Sequence, residues 1–213
     1  RPPVERKAAP DKKPDPADLY AALDLGTNSC RMLIAQPKGN QLHVVDSFSK
    51  NVQLGQGLEA SGRLSRASMA RAVGALKICQ SKLSRHNVTQ MRLVATEACR
   101  RAVNASEFIS VVKRETELQL EIIKPEEEAQ LAVVSCAPLV SAKTEQLLVV
   151  DIGGGSTELV WIDLSRVPPL ERSRAIMRLH QGFKHEDTIF PRAKVVDWIS
   201  IPLGVATLKD MYD

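Results

Sequence analysis

The chain has 213 residues, enough for one or two domains, and its 44% hydrophobic and 25% charged residues are ordinary globular usage, which excludes a wholly disordered chain, a collagen-like chain and a coiled-coil rod. The net charge of +4 is unevenly placed: residues 1–18 carry +1 and residues 164–194 carry +4, so the remainder sums to −1 and no chain-wide basic face for DNA is expected. Aromatics at 4% are too few for a single-strand stacking surface, no uncharged apolar run approaches the ~18 residues of a membrane span, and Arg1-Pro2-Pro3-Val4-Glu5-Arg6-Lys7 lacks the apolar core of an export signal, so a cytoplasmic chain without a membrane partner is expected.

Residues 1–18 hold five of the twelve prolines among Lys and Asp, a composition that cannot bury a core, so a disordered tail is expected there. Tyr20 to Leu25 reads as a strand, Gly26-Thr27-Asn28-Ser29 as a turn, Arg31 to Ala35 as a second strand, Pro37-Lys38-Gly39-Asn40 as a second turn and Leu42 to Phe48 as a third strand: an antiparallel meander. Leu54-Gly55-Gln56-Gly57-Leu58 is a glycine loop. Ser65 is placed to cap a helix running to about Arg85, with Met69, Val73, Leu76 and Leu83 at near-helical spacing. Met91 to Ala95 reads as a strand, Glu97 to Val103 and Ser106 to Thr116 as helices, and Leu118 to Ile123 as a strand. Pro125 opens a helix whose Ala129, Ala132, Val133 and Cys136 keep helical spacing. Gln146 to Ile152 and Leu159 to Ile162 are strands on either side of Gly153-Gly154-Gly155-Ser156-Thr157. Residues 163–196 read as irregular and basic, Trp198 to Ile201 as a last strand, and Pro202 as the start of a last helix.

The chain echoes itself. Leu23-Asp24-Leu25-Gly26-Thr27-Asn28-Ser29 lines up with Val150-Asp151-Ile152-Gly153-Gly154-Gly155-Ser156 at a constant offset of 127 residues, each copy reading apolar–Asp–apolar–Gly–x–x–Ser. Such a repeat points to two related domains rather than a solenoid. The expected division is a tail over 1–18, a first domain over 19–124 and a partial second domain over 125–213. Cys30, Cys79, Cys99 and Cys136 are far apart with no C-x-x-C pair, which argues for buried thiols in a reducing compartment and against a zinc knuckle.

Each echo has a chemical use. Glycines allow left-handed dihedrals and let backbone N–H groups approach an anion closely, and consecutive N–H groups form a cradle for phosphate. Ser and Thr hydroxyls add donors. A carboxylate beside a phosphate makes sense as a Mg²⁺ ligand, which assigns Asp24 and Asp151 to a metal. In Glu126-Glu127-Glu128, the first two acids suit a helix N-terminus. His180 and His185 read as loop residues rather than a metal pair, and Arg172, Arg174, Arg178, Lys184, Arg192 and Lys194 as a charged face that could steer a polyanion.

Asp24-Leu25-Gly26-Thr27-Asn28-Ser29-Cys30-Arg31 and Asp151-Ile152-Gly153-Gly154-Gly155-Ser156-Thr157-Glu158 resemble the two phosphate loops of the exopolyphosphatase / guanosine pentaphosphate phosphohydrolase family, within the actin-like ATPase superfamily. The resemblance implies an α/β fold of two ribonuclease-H-like domains, mixed sheets flanked by helices, with the second domain truncated. It implies Mg²⁺-dependent removal of a terminal phosphate from polyphosphate or guanosine pentaphosphate, and leaves a homodimer open. Position by position, it assigns Gly26, Asn28, Ser29 and Arg31 to the first phosphate loop, Gly153, Gly154, Gly155, Ser156 and Thr157 to the second, and Arg100 to phosphate. Glu128 falls on the family's catalytic glutamate, a general base for water, and Glu158 on a second acid near that water. A sugar- or acetate-kinase-type ATPase would need an adenosine-binding glycine pair downstream, and none occurs before residue 213. A non-catalytic polyphosphate- or nucleotide-binding module is the third reading.

Overall fold

The computed structural model describes residues 18–39, 41–183 and 193–212. Residues 1–17 of the tail expected over 1–18, and Lys184, His185 and Arg192 of the basic stretch, lie outside the described residues. Strands β1 (Tyr20–Leu25) and β2 (Ser29–Lys38) form a hairpin over the first glycine turn, and β3 (Gln41–Asn51) adds antiparallel to β2. Ala21, Leu23 and Leu25 alternate inward along β1, as a strand with one covered face requires.

Two helices follow, α1 (Leu58–Ser61) and α2 (Arg66–Arg85). The Ser65 side chain accepts the Ser68 amide at 3.0 Å, so α2 starts where the sequence predicts. This helical crossover lets β4 (Gln90–Ala95) return parallel to β1. After α3 (Glu97–Arg101) and α4 (Ala105–Thr116), β5 (Glu121–Ile122) pairs parallel to β4. The order is β3-β2-β1-β4-β5. Leu76 and Cys79 of α2 and Phe108 and Val112 of α4 bury against Leu23, Leu25 and Ile34 of the sheet in one core.

A second core gathers Ala129 and Val133 of α5 (Pro125–Ser135), Val149 of β6 (Gln146–Ile152), Val160 and Ile162 of β7 (Thr157–Asp163) and Ile176 of α6 (Arg172–Arg178). β8 (Lys194–Ile201) completes an antiparallel β6-β7-β8 sheet, and α7 (Val205–Tyr212) follows it. The other face of this sheet exposes Leu148, Val150, Ile152, Trp161 and Ile199. Three antiparallel strands followed by two parallel ones give the first sheet the ribonuclease-H-like topology of actin-like ATPases. β6-β7-β8 repeats its first three strands.

The structure corrects four local expectations. The strand expected over Leu118 to Ile123 is two residues long, because Leu118 and Leu120 turn into the core and only Val94 and Ala95 meet β5. β8 starts at Lys194, four residues before Trp198. The stretch read as irregular contains α6. Its Arg172 is buried, with Nη1 donating to Ala142 O at 2.8 Å and Nε to Val167 O at 3.2 Å, so it is a structural clamp rather than a steering charge. α7 begins at Val205 rather than Pro202, since Gly204 first closes a turn with Thr207, whose Oγ1 accepts the Gly204 amide at 2.6 Å.

Candidate active site

The two echoed turns fold alike. Gly26 N donates to Ser29 O at 2.9 Å, and 127 residues later Gly153 N donates to Ser156 O at 2.9 Å. The turns also touch. A Cβ on Gly154 would lie 3.0 Å from Asn28 Cβ and 3.1 Å from Asn28 N, and one on Gly155 would lie 2.4 Å from Thr27 Oγ1. Behind them, a Cβ on Gly204 would lie 2.5 Å from the carbonyl carbon of Gly154. None of these turn glycines adopts a positive φ; among the described residues the glycines that do are Gly39, Gly57, Gly62 and Gly182. The sequence argument from left-handed dihedrals is therefore corrected: at Gly154, Gly155 and Gly204 glycine serves because a side chain would collide, whereas a Cβ on Gly26 would meet only Ser29 O at 3.5 Å.

The carbonyls of both turns are pulled away from the point of contact. Thr27 O accepts the Gly55 amide at 2.9 Å, and Asn28 O accepts Val52 and Gln53 at 2.8 and 2.9 Å. In the second turn Gly153 O accepts Val205 at 3.0 Å and Gly154 O accepts Ala206 at 2.8 Å. A planar trans peptide points its N–H opposite to its C=O. The amides that follow these carbonyls, Asn28, Ser29, Gly154 and Gly155, are thus turned the other way. Among the described residues the Asn28, Gly154 and Gly155 amides meet no acceptor, an arrangement suited to an anion.

Both turns line one cavity of about 300 Å³, whose wall also carries Asp24, Arg31, Glu97, Glu128 and Asp151. Asp24, next to last in β1, lies opposite Arg31 in the hairpin register, and Asp151 faces Glu158 in β6–β7. Asp24 opens onto the cavity yet is ringed by protein, and this loss of water pushes its carboxyl above the usual range; Arg31 opposes the rise and Asp151 adds to it. Glu128, in the first turn of α5, is likewise raised, chiefly by burial, with Arg100 opposing and Glu158 and Asp24 adding.

Arg100 is held between acids. Its Nη2 lies 2.8 Å from Glu97 Oε2 and its Nη1 2.8 Å from Glu128 Oε2, while Nε donates to Glu97 at 3.0 Å and Nη1 to Ile123 O at 3.0 Å. The two 2.8 Å contacts are ion pairs off hydrogen-bond alignment. They leave Arg100 Nη2 and Glu128 Oε2, with Thr27 Oγ1, as buried polar atoms lacking an aligned partner, as expected where a ligand completes the bonding.

Gly26, Asn28, Ser29, Arg31, Gly153, Gly154, Gly155 and Ser156 all reach the cavity with Asp24, Asp151 and Glu128. Three residues do not reach its wall. Thr157 turns its hydroxyl to Leu203 O at 2.7 Å. Glu158 is buried and accepts from Ser200 Oγ at 2.7 Å. Arg100 stands one layer back, behind Glu97 and Glu128. Sequence reasoning missed Thr27, Glu97 and Gly204. Thr27 lies within the first motif, but the pressure it exerts on Gly155 crosses 128 positions and leaves no local signal. His180 is tied to its own turn, with Nδ1 2.7 Å from Met177 O. No three of His, Cys, Asp and Glu gather into a metal cluster among the described residues, so a cation here would share two aspartates with water and phosphate oxygens.

Residues 33–212 match the Ppx/GppA phosphatase family. A guanosine-5'-triphosphate,3'-diphosphate pyrophosphatase of Aeromonas hydrophila is 39% identical over 142 residues, 67% of this chain and 28% of that protein. Among solved structures, a Ppx/GppA family member from Aquifex aeolicus is 32% identical with a TM-score of 0.65, over 92% of this chain and 54% of that one. An exopolyphosphatase from Cytophaga hutchinsonii is 25% identical with a TM-score of 0.72, over the same shares. The chain thus spans less than a third of the curated relative and about half of each solved one. The paired turns are the local form of a likeness that runs through most of the sequence, and the chain belongs to the Ppx/GppA phosphatase family.

Proposed function

We propose that this chain carries the phosphate-gripping and base-bearing part of a phosphohydrolase that removes the terminal phosphate of inorganic polyphosphate or guanosine pentaphosphate. One observation carries the reading: two echoed turns, with amides facing inward, meet at a single cavity that also holds Asp24, Asp151 and Glu128. Residues 19–124 and 125–213 then act as two ribonuclease-H-like lobes closing on one anhydride. The names of the relatives in Aeromonas hydrophila and Cytophaga hutchinsonii support the substrate class.

The terminal phosphoryl oxygens are received by the amides of Asn28, Ser29, Gly154 and Gly155 and by the side chains of Ser29 and Arg31. Glu128 accepts a proton from water as the water oxygen bonds to phosphorus and the bridging P–O bond breaks, releasing phosphate and the shortened anion. A base works best with a pKa near the working pH, and burial has moved Glu128 in that direction. Arg100 balances Glu128 before substrate arrives and offers charge to the phosphoryl oxygens afterwards. The donor set fits a divalent cation: Asp24 and Asp151 face one another closely enough for the second to raise the first. Mg²⁺ bound there supplies charge neutralisation to the phosphate chain.

Phosphate release from each substrate, with Mg²⁺ and with a chelator, is the test. Release that stops without Mg²⁺ and falls about 10²–10⁴-fold in Glu128→Gln supports the reading. Near-normal turnover by Glu128→Gln overturns the base, and no release from either substrate by the full protein overturns the function.

A further inference from the structure

The first turn is braced from behind by a residue with no assigned role. Arg71, on α2, donates from Nε to Val52 O at 2.9 Å and from Nη2 to Gln53 O at 3.0 Å, Gln56 Oε1 at 2.9 Å and Ser68 Oγ at 3.0 Å. It grips a bend that needs gripping, because Gln53 has a φ of +47°, which non-glycine residues rarely adopt.

The Val52–Gln53 peptide has two ends. Its carbonyl takes Arg71 Nε–H, and its N–H donates to Asn28 O at 2.9 Å. The Asn28–Ser29 peptide continues the line, with its own N–H turned away from that carbonyl, back into the turn. A guanidinium is therefore linked through two peptide units to the Ser29 amide. Hydrogen bonds in such a chain polarise one another, and the charged end strengthens each donor toward an anion. The second turn has no counterpart among the described residues: its carbonyls are held by the backbone amides of Val205, Ala206 and Thr207 alone.

We infer that Arg71 is a positioning residue that fixes the Asn28–Ser29 peptide and polarises the Ser29 amide for phosphate. The inference deepens the proposed function and rests on it for the ligand, but its first readout does not. Amide hydrogen exchange is measured on the full protein without substrate, in Arg71→Met and Arg71→Lys, under conditions where circular dichroism shows both folded. Arg71→Met should speed exchange at Val52 and Gln53, whose amides hold Asn28 O, about tenfold or more, the loss of one hydrogen bond to a charged group, while Val205 and Ala206 behind the second turn stay unchanged. Arg71→Lys, which keeps the charge and one donor, should fall between. A purely structural role would instead lower the melting temperature with exchange rising behind both turns alike. Inorganic phosphate titrated against the same proteins should bind about tenfold more weakly to Arg71→Met, again one charge-assisted bond. Unchanged exchange at Val52 and Gln53 in both variants overturns the inference. A wild-type protein that binds no phosphate while its exchange responds as described counts against the proposed function and upholds the brace.

Discussion

The two echoed turns share a hydrogen bond and a length but solve the packing problem from opposite sides. The first, Gly26-Thr27-Asn28-Ser29, keeps side chains and pushes them outward. The second, Gly153-Gly154-Gly155-Ser156, gives its side chains up to receive them. Thr27 and Asn28 occupy the space that a Cβ on Gly155 or Gly154 would need, and Gly204 presses on the same peptides from behind. By contrast, the nearest atom to a Cβ on Gly26 is Ser29 O at 3.5 Å, an ordinary contact. The hairpin closes alike in both turns, and the sequences differ where the two meet: in one turn glycine is a matter of contact with the other turn, in the other it is not.

The sharpest way to break this comparison is to add one carbon to each turn. Gly204→Ala and Gly155→Ala should each cost about 1–3 kcal/mol or more through overpacking, read by thermal or chemical denaturation, with phosphate release reduced in step. Gly26→Ala should cost less than about 1 kcal/mol by the same measure. If Gly155→Ala is as mild as Gly26→Ala, the turns are not in contact. The double variant Gly155→Ala/Thr27→Ala should recover part of the loss, since the two sites are neighbours and couple.

A second set of variants uses pH. Arg100 holds Glu128 down against burial, so Arg100→Met should move the acid limb of kcat/KM to higher pH, beyond any loss in rate. An acid limb that stays in place or moves down removes Glu128 as the titrating base. The stability consequence has the same sign. A carboxyl whose pKa is raised in the folded protein favours the unfolded state as pH climbs from its ordinary value through the raised one. Glu128→Gln should therefore lose no stability at neutral pH and gain relative to wild type as pH rises through that window. Asp46 is the opposite case: Lys82 holds it near 2, with Nζ 2.7 and 2.8 Å from its oxygens. Its contribution is present above the usual carboxylate range and disappears as pH falls toward 2, so Asp46→Asn should lose its destabilising effect in acid.

The smallest expected difference lies between two threonines. Thr27 Oγ1 is buried without a partner, so Thr27→Val, which keeps the shape, should be close to neutral for stability. Thr157 Oγ1 donates to Leu203 O, so Thr157→Val should cost about 0.5–1.5 kcal/mol. Equal losses in denaturation midpoints would show that the Thr27 hydroxyl is satisfied after all.

What the sequence made legible was whatever is encoded locally. Ser65 marks the start of α2 because a side-chain cap is a contact three residues long, and Pro125 marks α5 because proline fits a first helical turn. The 127-residue echo was visible because both hairpins must close the same way. What stayed hidden depends on partners distant in sequence. Arg172 reads as surface charge until Ala142 and Val167 are seen to receive its guanidinium, and with it went the short α6. Gly204 carries no motif of its own and is explained only by the turn 50 residues upstream that it touches. The carboxylates Glu128 and Glu158 were found through family resemblance. Their chemistry differs because one opens to the cavity while the other is buried against Ser200.

The most direct test of the central claim is to follow the backbone amides of both turns while short-chain polyphosphate and Mg²⁺ are added. A shared grip predicts that Asn28 and Ser29 shift together with Gly154 and Gly155, along one saturation curve with one Kd. Two unrelated curves, or movement confined to a single turn, would contradict it.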